Sequence, residues 1–131
     1  MLAFMDVECP FCSPAGEDII LRNPLCYCRY DGYPVSKGHL LVIPFRHVSN
    51  FFELTEGERK AAFELVWQAN AKLDSDLHPD GYNVGVNVGK AAGQTVVHAH
   101  IHLIPRYAGD VPDPRGGVRW LVPAKARYWA S

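Results

Sequence analysis

Apolar and polar positions along the chain mark out several short strands and one long helix. Asp18–Leu21 and Cys26–Tyr30 read as short strands joined by a turn at Asn23–Pro24. Asp31–Gly38 reads as a loop, broken by Asp, Pro, Ser and Gly. His39–Pro44, "HLLVIP", is an apolar run of strand length stopped by proline. Thr55 and Glu58 form the capping-box pattern "TEGE", in which each side chain satisfies an orphan amide at a helix start. Ala62, Val66, Ala69, Leu73 and Leu77 then recur at spacings of four, three, four and four. That stripe predicts a helix packed on a sheet, and "HPDG" (His78–Gly81) ends it because proline cannot continue a helix. Tyr82–Val88 alternates like a half-buried strand, Lys90–Thr95 is a connection, and His98–Tyr107 is a strand that Pro105 ends. A tail rich in Pro and Gly wraps over the surface. The order strands, helix, strands argues for α+β architecture with an antiparallel sheet.

Composition narrows the function classes. The 131 residues are 48% hydrophobic and 21% charged, the make-up of one ordinary globular domain. A net charge of −1 offers no basic footprint for duplex nucleic acid, although single nucleotides need only a few local donors. No run of ~20 apolar residues could span a bilayer, so no membrane association is expected. The opening "MLAFMDVECPFC" lacks the basic start and long apolar run of a signal peptide. The expectation is therefore a cytoplasmic protein with reduced thiols, whose four cysteines hold a metal or are simply buried.

The chemistry concentrates in "HAHIHLIPRY" (His98–Tyr107). Side chains alternate across a strand, so His98, His100 and His102 share one face while Ala99, Ile101 and Leu103 supply the apolar one. Three readings compete: a solvated strand, a catalytic metal on the three imidazoles, and nucleophilic catalysis. In the last, a neutral ring nitrogen attacks phosphorus and neighbouring donors stabilise the phosphoryl charge. Asn87, Gln94 and Thr95 supply such donors, with Gly93 letting the backbone come close. No acidic residue close in sequence completes a mixed metal site. "CPFC" (Cys9–Cys12) has the spacing of half a zinc site. Cys26 and Cys28 are competing ligands, but their alternation on a strand separates them and favours buried thiols.

"NVGKAAGQTVVHAHIHLIPR" (Asn87–Arg106) resembles the signature of the histidine triad (HIT) nucleotide hydrolases and transferases. "GHLLVIPFRH" (Gly38–His47) and "DGYPVSKGH" before it match the family's earlier strand and loop. The resemblance implies a HIT-like antiparallel sheet of about five strands against one long helix plus a short helix. It also implies a single domain over 1–131, with its core at about 9–106 and a tail at 107–131. It makes His100 the nucleophile on the α-phosphorus of a nucleotide, with His102 and His39 orienting or polarising. It puts Asn87, Gly93, Gln94 and Thr95 at the phosphates or leaving group, and Asp31 at the ribose hydroxyls, where a carboxylate can accept from both. A structural zinc on Cys9, Cys12, His47 and His98 follows from relatives that close the Cys pair with two histidines. No organic cofactor is called for.

The activity implied is cleavage at the α-phosphate of dinucleoside polyphosphates through a nucleotidyl-histidine. Alternatives are nucleoside phosphoramidate hydrolysis, a non-catalytic nucleotide-binding module, and a hydrolase with zinc on the triad. HIT proteins are generally homodimers, so a homodimer is implied here. Of the remaining features, Gly85, Gly89 and Gly93 do not make a dinucleotide fingerprint, and Gly89–Lys90 is not a P-loop. His78 reads as structural at a helix end, and Trp67 as partly buried in the helix. Trp120 and Trp129 are tail rings that cover either a base or a subunit interface.

Overall fold

Helix α1 (Glu56–Leu77) begins where the sequence sets its cap. The Thr55 hydroxyl accepts from the Glu58 amide at 3.1 Å, and Glu58 Oε1 accepts from the Thr55 amide at 2.9 Å. Glu58 is buried at 4% exposure, so its charge needs a partner. Arg46 provides one, donating to both carboxylate oxygens at 2.8 and 2.9 Å and holding the Glu58 carboxyl down at about 2. This pair ties the helix start to the segment that carries His47.

The computed structural model describes residues 9–130, so Met1–Glu8 of the opening stretch lie outside the described residues. Its strands are β1 (Leu21–Arg22), β2 (Cys26–Tyr30), β3 (Leu40–Pro44), β4 (Gly81–Gly85) and β5 (Ile101–Arg106). They form one antiparallel sheet in the order β1-β2-β3-β5-β4. With α1 and a short helix α2 (Pro123–Ala126), this is the α+β arrangement expected. Among the described residues no helix is long and apolar enough to cross a membrane.

The sheet has two unlike faces. Leu40 and Val42 of β3, Ile101 and Leu103 of β5, and Cys26 and Cys28 of β2 pack against Ala61, Ala62, Leu65, Val66, Ala69 and Leu73 of α1. Fully burying a leucine such as Leu65 stabilises by roughly 2 kcal/mol. Both thiols are inaccessible, and burial pushes them up to about 12, so Cys26 and Cys28 are core residues. The other face carries Tyr27, Leu41 and Ile43 with Phe11 packed on them. Period-two alternation places His39, His100 and His102 on this second face.

Several expected boundaries move. The first strand shortens to Leu21–Arg22 because Asp18 and Ile19 donate back to Ala15 and Gly16 in a 3-10 turn; Ile20 still donates to Cys28. β4 stops at Gly85, whose partner is His102, and Val86–Val88 leave the ladder because β5 pairs regularly only from Ile101. Pro105 does not end β5. Pairing with β3 covers only Ile101–Leu103, so Pro105 sits where β4 is the one neighbour, a position that tolerates proline. Leu77 is only half-buried, and Ala61 and Leu65 complete the stripe instead. Trp67 is 72% exposed, not partly buried, because its neighbour Val66 takes the core-facing position.

Two features fix the approach to the site. Gly38 has φ +90, and a Cβ there would lie 2.5 Å from Leu77 Cδ1, so only glycine lets the loop before His39 pass so close to α1. Ser36 Oγ donates to the Pro105 carbonyl at 2.6 Å and the Tyr107 hydroxyl to the Lys37 carbonyl at 2.7 Å, pinning the same loop to the end of β5. The tail folds on itself. Arg115 lies over the Trp129 ring and Arg119 over Tyr128, while Trp120 donates to the Arg115 carbonyl.

Candidate active site and metal centre

Backbone groups assign the ring protons of four histidines, because an amide can only donate and a carbonyl can only accept. The Val35 amide donates to His39 Nδ1 at 3.2 Å, which leaves the His39 proton on Nε2. That Nε2–H faces His102 Nδ1 at 2.9 Å and donates to it, so His102 carries its own proton on Nε2. His100 Nδ1–H donates to the His98 carbonyl at 2.8 Å, leaving the lone pair on His100 Nε2. His98 Nε2–H donates to the Pro44 carbonyl at 2.8 Å, leaving its lone pair on Nδ1.

The consequences differ within the triad. His100 offers a basic nitrogen and His102 a donor, side by side with ring centroids 5.0 Å apart. Burial, then the neighbouring rings of His100 and His39, hold His102 down at about 4, against a partial pull upward from Asp31. Burial also lowers His39, so both rings are neutral at pH 7. Asp31 Oδ2 stands 3.4 Å from His39 Nε2 and 3.9 Å from His102 Nδ1, and Asp31 Oδ1 accepts from the Tyr33 amide.

A histidine whose folded value lies below its unfolded one leaves the unfolded chain binding more protons. Stability is then fully present above about 6.5 and is lost as pH falls toward about 4. For His102 the loss is on the order of 3 kcal/mol. Denaturant unfolding at several pH values is expected to show this acid slope in the wild type and a shallower one in His102→Gln. An equal slope in both would show that His102 is not its source.

These side chains line one cavity of about 470 Å³, within the range of small-ligand sites. Asp31, His39, Asn87, Gly93, Gln94, Thr95, His100 and His102 all border it. Gln94 has a second occupation: its Nε2 donates to the Ser49 and Val96 carbonyls at 2.7 and 3.1 Å, and its Oε1 accepts from the Gly89 amide at 2.9 Å. It braces the loop over residues 89–96, spending both amide hydrogens on carbonyls. Gly93 has φ +89, a conformation that favours glycine, and the space around it is open to the cavity it lines. Among the described residues none of the tail lines the cavity, so Trp120 and Trp129 do not border it within one chain.

Phe11, Arg29 and Leu41 also line the cavity, and sequence reasoning missed all three. The signal was the alternation Tyr27, Arg29, Asp31, which runs down one face of β2 into the loop. Phe11 sits inside the Cys pair, its ring centroid 5.1 Å from that of His100 in an edge-on arrangement and its carbonyl accepting the Tyr27 hydroxyl at 2.7 Å.

Behind that ring the second centre forms. Cys9 Sγ, Cys12 Sγ, His47 Nδ1 and His98 Nδ1 converge within 4.8 Å of one another, with sulfur-to-nitrogen separations of 3.0–3.6 Å. The set fits zinc: two soft sulfurs, two imidazoles, and a wholly buried His98 whose outer nitrogen is anchored on a carbonyl. The sulfurs are 2.8 Å apart; zinc–sulfur bonds of ~2.3 Å at a tetrahedral angle would open them by about 1 Å. A metal bound there would cross-link the N-terminal loop, the end of β3 and the start of the triad. Asp31, His39 and His102 form a second convergent group. Among the described residues His98, His100 and His102 do not form a ligand group together, so zinc on the triad lacks the geometry it needs.

Residues 14–109 match the HIT domain, and the chain belongs to the HIT family. It is 35% identical over 104 residues to a protein named AP-4-A phosphorylase of Mycobacterium tuberculosis, a match covering 79% of this chain and 53% of that one. It is 34% identical over 100 residues to an asymmetrical bis(5'-nucleosyl)-tetraphosphatase of Schizosaccharomyces pombe, covering 76% and 55%. The chain therefore spans about half the length of these two relatives. Among solved structures it is similar to a zinc-bound histidine triad family protein from Mycobacterium smegmatis, with TM-score 0.67 and 29% identity, covering 93% of this chain and 88% of that one.

Proposed function

We propose that the protein is a nucleotide hydrolase or transferase that cleaves dinucleoside polyphosphates at the α-phosphate through His100. The observation that carries this reading is the hydrogen bond from His100 Nδ1 to the His98 carbonyl. It commits the other ring nitrogen to a lone pair beside a neutral donor at His102, in a cavity that also holds Asp31. Relatives named for diadenosine tetraphosphate phosphorolysis and nucleosyl tetraphosphate hydrolysis support the substrate class.

In the first step His100 Nε2 attacks the α-phosphorus, the P–N bond forms, and the bond to the bridging oxygen breaks. The remaining polyphosphate departs with its electron pair. His102 Nε2–H donates to a non-bridging oxygen as charge builds there, and His39 keeps that proton in place by filling His102 Nδ1. The attached imidazole is cationic and itself a good leaving group. In the second step water, or phosphate in a transfer, displaces it and restores neutral His100. Asp31 accepts from the ribose hydroxyls. A zinc on Cys9, Cys12, His47 and His98 would hold the His98 backbone, and with it the carbonyl that orients the nucleophile. The active assembly in this reading is a homodimer.

The test is an acid-sensitive adduct. The protein is mixed with diadenosine tri- and tetraphosphate and with adenosine phosphoramidate, quenched, and the His100 peptide weighed. A nucleotidyl mass on that peptide is expected, with products ranking the substrates. Turnover with no adduct, undiminished in His100→Ala, would remove the covalent route.

A further inference from the structure

Arg29 is the one lysine or arginine among the described residues that line the cavity. Its place is set by the sheet register. Arg29 pairs with Leu41, and Leu41 pairs with His102, so the three stand in one row across β2, β3 and β5. The row spans about 10 Å between the outer Cα atoms. Leu41, only 3% exposed, is the apolar floor between a phosphorus-facing histidine and a guanidinium.

Charge decides which end of a nucleotide lies over that floor. Asp31 is two residues from Arg29 and lies against His39 and His102. Its carboxylate repels a polyphosphate and accepts from hydroxyls, so the nucleoside is the part that extends from His100 past Asp31 toward Arg29. What reaches the guanidinium is then the far edge of the base.

No carboxylate grips Arg29 closely, in contrast to two other arginines of the chain. Arg46 and Arg106 each grip a carboxylate in a two-pronged contact at 2.7–2.9 Å. Arg29 has one carboxylate at 3.9 Å, the half-exposed Asp18, a contact of little energetic weight. It also lies against the Tyr27 hydroxyl, whose one oxygen cannot occupy all five of its N–H groups. A guanidinium presents only donors, in a planar fork. Guanine offers two adjacent acceptors, O6 and N7, to such a fork, whereas adenine pairs its N7 with an amino donor that opposes it.

We propose that Arg29 determines base preference, reading the O6/N7 edge of a 6-oxopurine so that guanine nucleotides are favoured over adenine nucleotides. The proposal rests on the nucleotide reading above for the occupant of the cavity. It goes beyond that reading in naming the base and the residue that selects it.

Calorimetric titration of GMP and AMP into wild type, Arg29→Leu and Arg29→Lys tests it. Wild type is expected to bind GMP about tenfold more tightly than AMP, and both variants are expected to bind the two alike. Lysine keeps the charge and loses the fork, so it also serves if the leucine variant folds poorly. Diguanosine and diadenosine tetraphosphate turnover is expected to show the same factor in KM with kcat little changed. Equal affinity for GMP and AMP in wild type, or a preference that survives in Arg29→Leu, overturns the proposal. So does equal loss of both nucleotides in Arg29→Leu with full rescue by lysine, which would assign Arg29 to phosphate. A guanine preference in binding without cleavage of either dinucleotide would overturn the reaction and leave Arg29's role standing.

Discussion

Replacing His100 with alanine is expected to lower turnover of a diadenosine polyphosphate by roughly ten-thousand-fold or more, with nucleotide binding largely retained. The size follows from removing a nucleophile whose neighbours act only in concert with it. Binding survives because Asp31, Arg29 and the loop over residues 89–96 remain. His102→Ala is expected to cost less, since the covalent bond can still form without the donor on the phosphoryl oxygen. Steady-state rates and nucleotide affinities measured on both variants decide this. Comparable losses in the two, or turnover of His100→Ala within tenfold of wild type, would show that His100 is not the attacking group.

The second large effect is expected at the metal centre. Protein purified without chelator should hold about one zinc per chain, and Cys12→Ser should hold almost none. Its melting temperature should fall by on the order of 10 °C, because a closed structural site contributes several kcal/mol and this one joins three separate segments. Activity should fall as well, since the His98 carbonyl that accepts the His100 Nδ1–H hydrogen bond belongs to a residue of this candidate site. Elemental analysis and thermal unfolding give the two readings together. A metal-free wild type that melts like the variant would sink the site.

The fold was legible in the sequence wherever periodicity was tied to burial. The capping box at Thr55 and Glu58, the helix stripe and the burial alternation over Ala99–Leu103 all appear in the structure, although regular pairing begins only at Ile101 and His98 is wholly buried. Where a neighbouring strand decides, sequence reasoning failed. Pro105 stays in β5 because β3 has already ended its pairing, and Val86–Val88 leave the ladder because β5 does. Trp67 went wrong through adjacency: Val66 and Trp67 cannot both face the sheet.

The site was legible as a set of residues and illegible as an arrangement. Spacing and resemblance assembled the residues of the cavity, and the Cys9, Cys12, His47 and His98 cluster converges as that resemblance implied. Nothing in the motif tells that Gln94 spends its amide on the loop, or that Phe11, lying between two cysteines, presses on His100. Those are contacts between segments, and a linear pattern does not carry them.

The bond from the Val35 amide to His39 places a demand on one position that its side chain does not reveal. Val35 is 73% exposed, and many side chains would be tolerated there. Proline alone would delete the hydrogen that holds His39 Nδ1. Without it His39 could reverse its ring proton, His102 would follow, and the His102 Nε2 donor would become an acceptor. The protonation order of the cavity thus depends on a main-chain atom in a loop that looks, by its residues, free to vary.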